Sequence, residues 1–340
     1  EDMRRHLIKF VNNLYMRSMP DEGVKVIDMK RLVVFTPVFR EKIFYSWEEL
    51  IQPNNTGNSF LRALIYKYPH EWRNFKEKEF PQGNRLRKTV DYIEAKVLAG
   101  IDITQHSSQK VTTTQFMKRM IQAWASQRFQ PVSRTVKGFM RYPKALSILL
   151  RLQNPDLTDE QVRTIIRQKF SYVVGAKLYD KSMWNAATNY DDLPNEASRL
   201  ANQQEHLEYV QGLDLLCKTI GDSMLKVAFM TQTPTIDGIK YKSVLKVSDS
   251  GVSKTLYELD AFNDFSRVGQ GKPTNQGHML QFFDGTHCQT VDCNQDATLS
   301  QSFFVPNILK EFDKDKKVKI IGFPEDIFTK NWSYAGYAAA

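Results

Sequence analysis

Two cysteines and two histidines lie close together in sequence, at His278, His287, Cys288 and Cys293. Thiolate and imidazole groups bind zinc, and a structural zinc site needs four such ligands, usually with its cysteines paired two to four residues apart. Cys288 and Cys293 are at the outer limit of that spacing, and no second pair accompanies them. A Cys–His nucleophile is no better supported, because His287 would point to the opposite face of a strand from Cys288. We therefore expect a buried or partly buried thiol here, with no metal and no cofactor.

The segment Gly269–Thr274, Gly-Gln-Gly-Lys-Pro-Thr, is similar to part of a phosphate-binding loop. The first glycine of that motif would fall at Ser266, and Pro273 takes the place of the hydroxyl residue that holds magnesium. We therefore expect no nucleotide site here. The surrounding residues, Arg267–Gly277, are rich in glycine, glutamine and asparagine, and this composition predicts an exposed, mobile loop that acts as an interaction arm.

Other catalytic patterns are incomplete. Residues His70–Asn74 begin like the helix of zinc proteases, but Asn74 stands where the second histidine is required. The sequence has no Gly-x-Ser-x-Gly elbow. An enzyme with this sequence would need an active site assembled from residues distant in the chain, so the motifs favour a non-enzyme.

Positive charge is concentrated between Ile103 and Pro155, a segment with nine basic side chains and no acidic one. The nine are Lys110, Lys118, Arg119, Arg128, Arg134, Lys137, Arg141, Lys144 and Arg151. The whole chain has 47 Lys and Arg against 38 Asp and Glu, so this segment contains its entire net charge of +9. Concentrated positive charge attracts polyanions, nucleic acid first among them.

This basic segment is predicted to form two helices, from Thr113 or Thr114 to about Phe129 and from Ser133 to Pro143. In the first, the core-facing residues are Phe116, Met117, Met120, Ile121 and Trp124, and the opposite face has Lys118, Arg119, Gln122 and Ser126. In the second, Val136, Phe139 and Met140 point inward, and Arg134, Lys137 and Arg141 share one side. Each helix would present a polar stripe with positive charge.

Seven basic residues are the predicted nucleic-acid contacts: Lys118, Arg119, Arg134, Lys137, Arg141, Lys144 and Arg151. We expect Arg134, Lys137 and Arg141 to contact phosphates rather than base edges, because they lie on one helical side and no sequence-reading module surrounds them. The alternative is a solvated surface whose acidic partners come from other segments of the fold.

Composition excludes several classes of protein. No stretch approaches the roughly 18 to 20 uncharged apolar residues that a membrane helix needs, and the N-terminus lacks the apolar core of a signal peptide. Three cysteines are too few and odd in number for a disulfide framework, which favours a reducing compartment. These features predict a protein inside the cell or inside a viral particle.

Helical patterns dominate the first two-thirds of the chain, with predicted helices over residues 3–18 and 195–230. Ser46 and Ser59 are predicted N-caps, and Thr158 begins a capping box whose helix should run to about residue 178. One exception is a small hairpin over residues 24–35 that turns at Lys30 and Arg31.

The sequence pattern changes at Thr233 and Pro234, after which short runs rich in β-forming residues alternate with turn signals. The runs are Ile239–Val247, Thr255–Leu259, Met279–Phe283 and Val318–Ile321. We therefore predict an α+β fold with two regions. Residues 1–232 are mainly helical and contain the hairpin and the basic segment 103–155, and residues 233–340 are β-rich.

The charge and the missing motifs together predict a non-enzymatic structural protein of a nucleoprotein assembly, of the virion or phage-particle type. Its expected partners are DNA or RNA, bound without sequence preference, and other subunits of the assembly, with no membrane involved. One alternative is an enzyme that acts on a polyanion through a dispersed active site within residues 233–340. Another is a protein scaffold whose basic segment meets an acidic partner.

Overall fold

The computed structural model describes residues 23–103, 115–220, 223–249, 252–260, 272–314 and 317–322. Over these residues the chain forms a mixed α/β fold in which helices cover a six-stranded sheet. The predicted mixture of helices and strands is confirmed at this level. The predicted helix over residues 3–18 and residues 267–271 of the predicted arm lie outside the described residues.

The sheet is mixed, with a parallel half and an antiparallel half. Its strands are β1 (Leu32–Pro37), β2 (Phe170–Gly175), β3 (Leu225–Thr235), β4 (Gly238–Asp249), β5 (Val252–Asp260) and β6 (His287–Thr290). They follow the order β5-β4-β3-β2-β1-β6 across the sheet. The pairs β3–β2, β2–β1 and β1–β6 are parallel. Val33 of β1 lies opposite Ser171 of β2 on one side and Cys288 of β6 on the other. β3, β4 and β5 pair antiparallel.

Every residue of β1 and β2 is buried. Parallel strands have both faces covered by helices, so their sequences are nearly continuous apolar runs instead of alternating ones. Tyr172 and Val174 face one helical layer, and Val173 faces the other. The hydroxyl of Tyr172 meets that of Thr36 at 2.7 Å, which gives both buried oxygens a hydrogen-bond partner.

The helices come from all parts of the described chain. They are α1 (Trp47–Ile51), α2 (Phe60–Lys67), α3 (Pro69–Glu79), α4 (Arg87–Leu98), α5 (Gln115–Phe129), α6 (Pro131–Phe139), α7 (Arg141–Gln153), α8 (Asp159–Lys169), α9 (Lys181–Thr188), α10 (Glu196–Ile220), α11 (Lys272–Leu280), α12 (Leu299–Ser302) and α13 (Val305–Lys314). Three predicted N-caps are confirmed, since Ser46, Ser59 and Thr158 each accept from a backbone amide at the start of a helix.

Three clusters of buried apolar residues hold these elements together. Helices α6 to α10 and α13 pack on one face of the sheet. On the opposite face, Met279 and Phe282 of α11 pack against Phe35 of β1. Helices α1 to α5 build a separate core around Trp72 and Trp124, whose ring centroids are 4.8 Å apart. No helix within the described ranges combines the length and apolar composition needed to cross a membrane.

The predicted hairpin at residues 24–35 is wrong, although its second run, Leu32–Phe35, is confirmed as part of β1. Residues Val26–Asp28 form a 3-10 turn, and β1 pairs in parallel with β2 and β6. The supposed turn at Lys30 and Arg31 has no glycine or asparagine to adopt the positive φ of a tight hairpin. Val26 is buried, and its amide donates to Gln153 Oε1 at 2.9 Å.

Two predicted helices end earlier than expected. Helix α8 ends at Lys169 and is followed directly by β2, and α10 ends at Ile220 before β3. In both cases a short apolar run was assigned to the preceding helix, because periodicity alone does not separate a buried strand from a buried helix. Strand β3 crosses the predicted boundary between residues 232 and 233.

The C-terminal third contains both correct and wrong predictions. The runs 239–247 and 255–259 are confirmed as parts of β4 and β5. Residues 279–283 are the end of α11 and the turn after it, and residues 318–321 form no strand. Residues 272–277 of the predicted mobile loop belong to α11. The side chains of Thr274 and Asn275 are buried there, which a composition rich in small polar residues did not suggest.

Candidate active site

Parallel strands end at a common edge of a sheet, and the carboxyl ends of β1, β2 and β6 meet in this way. The strand order reverses at β1, because the chain continues from β1 to β2 on one side and reaches β6 on the other. In open α/β sheets, ligands bind in the crevice outside the carboxyl ends of the strands at such a point. This edge is therefore the expected position of a binding site.

The loop that follows β6 places a carboxylate at this edge. Asp296 accepts from Arg134 Nε at 3.0 Å and from Arg141 Nη1 at 3.2 Å. Arg141 also donates to the carbonyl of Ala297. Charge-assisted bonds of this kind are shorter and stronger than neutral ones. One carboxylate thus fixes two guanidinium groups, one from α6 and one from the start of α7.

Gly138 lets the loop approach α6 closely. A Cβ at this position would overlap Asp296 Oδ1 and lie 2.9 Å from the amide nitrogen of Ala297. One turn earlier, Thr135 Oγ1 donates to the carbonyl of Gln295 at 2.7 Å. The loop after β6 is therefore held against α6 by contacts that leave no room for a side chain at residue 138.

Replacing Gly138 with alanine should displace this loop and lower the free energy of unfolding by about 1–3 kcal/mol, the usual cost of overpacking a tight contact. Thermal or denaturant unfolding of the variant measures the loss. Gly322→Ala is the matched control, because a Cβ there meets nothing within 4 Å. Equal stabilities of wild type and Gly138→Ala would contradict the close approach.

Further cations surround the two arginines. The group comprises Lys67, Arg128, Arg134, Lys137 and Arg141 with the carboxylates Glu71 and Asp296, and is termed the basic cluster. Arg128 pairs with Glu71, and its guanidinium lies 3.9 Å from the ring centroid of Trp124. Five cations against two carboxylates leave the cluster with excess positive charge in a partly buried place.

Burial, together with neighbouring positive charge, lowers the pKa of two lysines of the cluster. Burial, reinforced by the neighbouring charge of Arg128, lowers the pKa of Lys137 to about 8. Burial and the charge of Arg134 lower the pKa of Lys67 in the same direction. Like charges gathered in a partly buried site cost stability, and perturbed groups of this kind are more frequent at functional sites. The basic cluster is therefore suited to receive an anion.

Helix α11 joins the same edge from the other face of the sheet. Asn275 Nδ2 donates to the carbonyls of Val38 (2.9 Å) and Gly175 (2.6 Å), which ties together the chain leaving β1 and β2. His278 is fully buried, and within the described part of the chain neither ring nitrogen has a hydrogen-bond partner. Burial, with a contribution from Lys177, lowers the pKa of His278 to about 4, so the ring is neutral at pH 7.

Lys177, two residues beyond β2, is also buried, and burial lowers its pKa. It lines a cavity of about 50 Å³ together with Phe39, Gln232 and Tyr241. The carboxyl edge therefore has a cationic side, formed by the basic cluster, and a less charged side, formed by α11 and this cavity.

Of the seven basic residues predicted as contacts, Arg134, Lys137 and Arg141 come together in the basic cluster. The other four lie elsewhere: Lys118 Nζ is 5.5 Å from the Trp47 ring centroid, Arg119 donates to Gln211 at 3.4 Å, Lys144 is exposed, and Arg151 pairs with Asp159 at 2.7 Å. Asp296 comes from the C-terminal third of the chain and pairs with Arg134 and Arg141, as the alternative of acidic partners from other segments expects.

The predicted helices of the basic segment also need correction. The polar face of α5 is not free, since Gln122 donates to the carbonyl of Tyr45 and the buried Ser126 accepts from its amide. Ser133 is not a cap: α6 begins at Pro131, with Gln130 as the capping residue. Pro143 does not end that helix and lies in the first turn of α7, where a proline needs no amide partner. The predicted start at residues 113–114 lies outside the described residues.

The cysteines and histidines considered at the outset do not converge. Cys288 is exposed on β6, and Cys293 Sγ lies 3.7 Å from a carboxylate oxygen of Glu41. His278 is buried on α11, and the ring of His287 packs on that of Phe312. Within the described ranges no three His, Cys, Asp or Glu side chains are grouped closely enough to hold a metal ion.

Comparison with known proteins gives a consistent result. A family model described as "1,3-beta-glucan synthase component" matches residues 1–340. The chain is similar to Callose synthase 9 of Arabidopsis thaliana, with 30% identity over 346 residues that cover 96% of this chain and 16% of that protein. It is 28% identical to Callose synthase 7 and to Callose synthase 10 of the same plant, again over 96% of this chain. The chain thus spans 16% of the length of these relatives.

The match overturns the predicted function. The prediction of a structural protein of a virion or phage particle is wrong. The predicted partners, namely nucleic acid and other assembly subunits with no membrane, are wrong as well. The positive charge was real, but charge alone does not identify the polyanion that it attracts. Since the family model covers its whole length, the chain belongs to the family of the 1,3-beta-glucan synthase component.

Proposed function

We propose that this chain forms the part of a 1,3-β-glucan synthase that binds an activated glucose and supports transfer of its glucosyl unit. A glucan grows when a hydroxyl of the acceptor attacks the anomeric carbon of a glucose that carries a leaving group. A nucleoside diphosphate is a common leaving group of this kind and is a polyanion. The proposal therefore takes up the alternative of an enzyme that acts on a polyanionic substrate.

The observation that supports it is the position of the basic cluster at the carboxyl edge, beside the strand at which the order reverses. Negative charge builds up on the departing phosphate oxygen as its bond to the sugar breaks. Positive groups that are already fixed in place stabilise this charge without further reorganisation, which is a large term in catalysis. Arg134 and Arg141 are fixed in this way by Asp296.

The residues of the cluster have different proposed roles. Arg141 binds the diphosphate through guanidinium N–H groups not directed at Asp296 and Ala297, and Asp296 is a positioning residue that orients it. Lys137 contributes a charge that the free protein holds with difficulty and that a bound diphosphate would stabilise. Asn275 positions the chain that leaves β1 and β2.

The organisation predicted from sequence fits this proposal. The mainly helical part, residues 1–232, would supply the cations, and the β-rich part, residues 233–340, would supply Asp296 and α11. We also propose a reducing compartment, since Cys217, Cys288 and Cys293 are free thiols.

Binding of a nucleoside diphosphate-glucose tests the proposal directly. Arg134→Ala should raise the Kd about tenfold, because loss of one charge-assisted contact costs about 1.4 kcal/mol. Arg151→Ala is the control: Arg151 belongs to the same basic segment but pairs with Asp159 at the surface. Calorimetric titration of the intact protein measures both. The nucleoside diphosphate-glucose is the glucosyl donor. Equal weakening of its binding by the two substitutions, or binding unaffected by Arg134→Ala, would refute a site for this donor in the basic cluster.

A further inference from the structure

A second and larger cavity lies at the opposite edge of the sheet, where β1 and β6 begin. It has a volume of about 610 Å³. We term this cavity the amino-edge pocket. The residues that line it include Lys30, Phe283, Thr286, Cys288, Phe312 and Asp313. β1 separates this pocket from the carboxyl edge by about 20 Å, at 3.3 Å per residue. Ligand sites commonly have volumes of about 300–1,000 Å³.

Aromatic rings form the apolar part of the pocket. Phe283 is 37% exposed, and its ring lies 6.3 Å from that of the buried Phe35, which supports it from behind. The Phe312 ring packs on the His287 ring at 4.9 Å. Two phenylalanines thus present ring surface to an open cavity although both are anchored to the fold.

Polar groups complete the lining, among them two lysines, Lys30 and Lys319, and one carboxylate, Asp313. Lys30 Nζ and Asp313 Oδ1 are 3.8 Å apart, and both side chains are more than half exposed, so this pair is weak and open to a competing ligand. Thr286 Oγ1 donates to the carbonyl of Arg31 at 3.3 Å. Burial, and to a lesser extent Lys30, lower the pKa of His287, which keeps the ring neutral at pH 7.

This combination matches a β-linked glucan. In β-glucopyranose the ring hydroxyls are equatorial, so both faces of the ring expose C–H groups and the hydroxyls lie around the rim. Such a ring stacks on an aromatic face, and its rim donates to carboxylates and accepts from ammonium and hydroxyl groups. We propose that the amino-edge pocket binds a short β-glucan chain outside the transfer site. The choice of β-glucan draws on family membership, whereas the binding itself does not depend on catalysis at the carboxyl edge.

Cys288 provides a local reporter of occupancy. Cys288 is exposed and lines the pocket, and partial burial of its thiol raises the pKa of that thiol. Because the thiolate is the reactive form, alkylation by N-ethylmaleimide is best followed at about pH 8.5. Mass spectrometry of the peptides separates Cys288 from Cys217 and Cys293. In the intact protein, laminaritriose, a β-1,3-linked trisaccharide, should slow alkylation of Cys288. At about ten times its Kd the rate should fall roughly tenfold, because only the free fraction reacts.

Three variants and one control sugar define the outcomes. Phe312→Ala should abolish protection by removing a stacking ring, and Lys30→Ala, at an exposed position that does not threaten folding, should weaken it. Maltotriose, whose α-linkages bend the chain differently, should not protect. No protection by laminaritriose, equal protection by maltotriose, or a Cys288 that is already shielded without sugar would each overturn the proposal. Arg141→Ala should leave protection unchanged, so failure here is distinguishable from failure of the proposed transfer site.

Discussion

Replacing Arg141 with alanine is expected to lower kcat/KM for glucan synthesis by the intact protein roughly 100- to 1,000-fold, the loss that follows removal of one preorganised charge-stabilising donor. Arg141 is the residue through which the loop after β6 and the first turn of α7 meet, because it bonds both Asp296 and Ala297. A lysine at this position has one compact charge and cannot reproduce the forked geometry, so Arg141→Lys should recover only part of the loss.

The matched control lies on the same helix. Lys144 is one turn along α7 and exposed, so Lys144→Ala removes the same charge from nearly the same place without touching the basic cluster. We expect its kcat/KM to stay close to that of wild type. The proposed role of Arg141 is wrong if both substitutions reduce synthesis equally, or if Arg141→Ala retains most of its activity while remaining folded.

The sequence located the charge of this site but not its partners. Arg134 and Arg141 are visible as members of an acid-free segment, and helical spacing brought them to one side. Asp296, which holds both, is more than 150 residues away in sequence and lies in the loop after the four-residue strand β6. A single carboxylate in a loop has no local pattern, so only the tertiary fold reveals that it neutralises this segment.

The parallel pairing of the central strands escaped prediction for a related reason: the pattern predicts Leu32–Phe35 as one strand of a hairpin and β2 as the end of a helix. β1 and β2 are short apolar runs without alternation, and parallel pairing places Leu32 opposite Phe170 across a long stretch of intervening chain. Local signals determine caps, and the predicted caps Ser46, Ser59 and Thr158 are confirmed, although Ser133 is not a cap. Parallel pairing is decided by burial between two helical layers, which no short window contains. Because the sequence does not predict the parallel pairing, it does not predict the carboxyl edge or a site at that edge.

Lys137→Met is expected to stabilise the protein while weakening donor binding. The pKa of Lys137 is about 8 in the fold against 10.5 for an ordinary lysine. A lysine whose pKa is lowered by folding destabilises the fold wherever it is charged, so this penalty is fully present below pH 8. A tenfold change in a protonation equilibrium corresponds to about 1.4 kcal/mol, and because the side chain keeps some contact with water we expect a gain on the order of 2 kcal/mol at pH 7.

The lowered pKa of Lys137 also determines how both properties depend on pH. Between about pH 8 and 10.5 the unfolded chain binds more protons than the folded one, so the stability contributed by this site rises with pH in wild type. Lys137→Met should lose that rise, and denaturant unfolding at several pH values measures it. Donor binding should behave in the opposite way: in wild type it weakens above pH 8 as Lys137 loses its charge, and in the variant this step is absent.

Lys144→Met is the appropriate comparison, since it exchanges an exposed lysine on the neighbouring helix for the same side chain. It should change neither the free energy of unfolding nor donor binding by more than about 0.5 kcal/mol, the usual range for surface substitutions. We expect only Lys137→Met to gain stability and lose binding. This result would show that Lys137 destabilises the free protein and contributes to binding of an anionic ligand. If Lys137→Met instead destabilises the protein, or binds the donor as wild type does, Lys137 serves the fold and not the ligand.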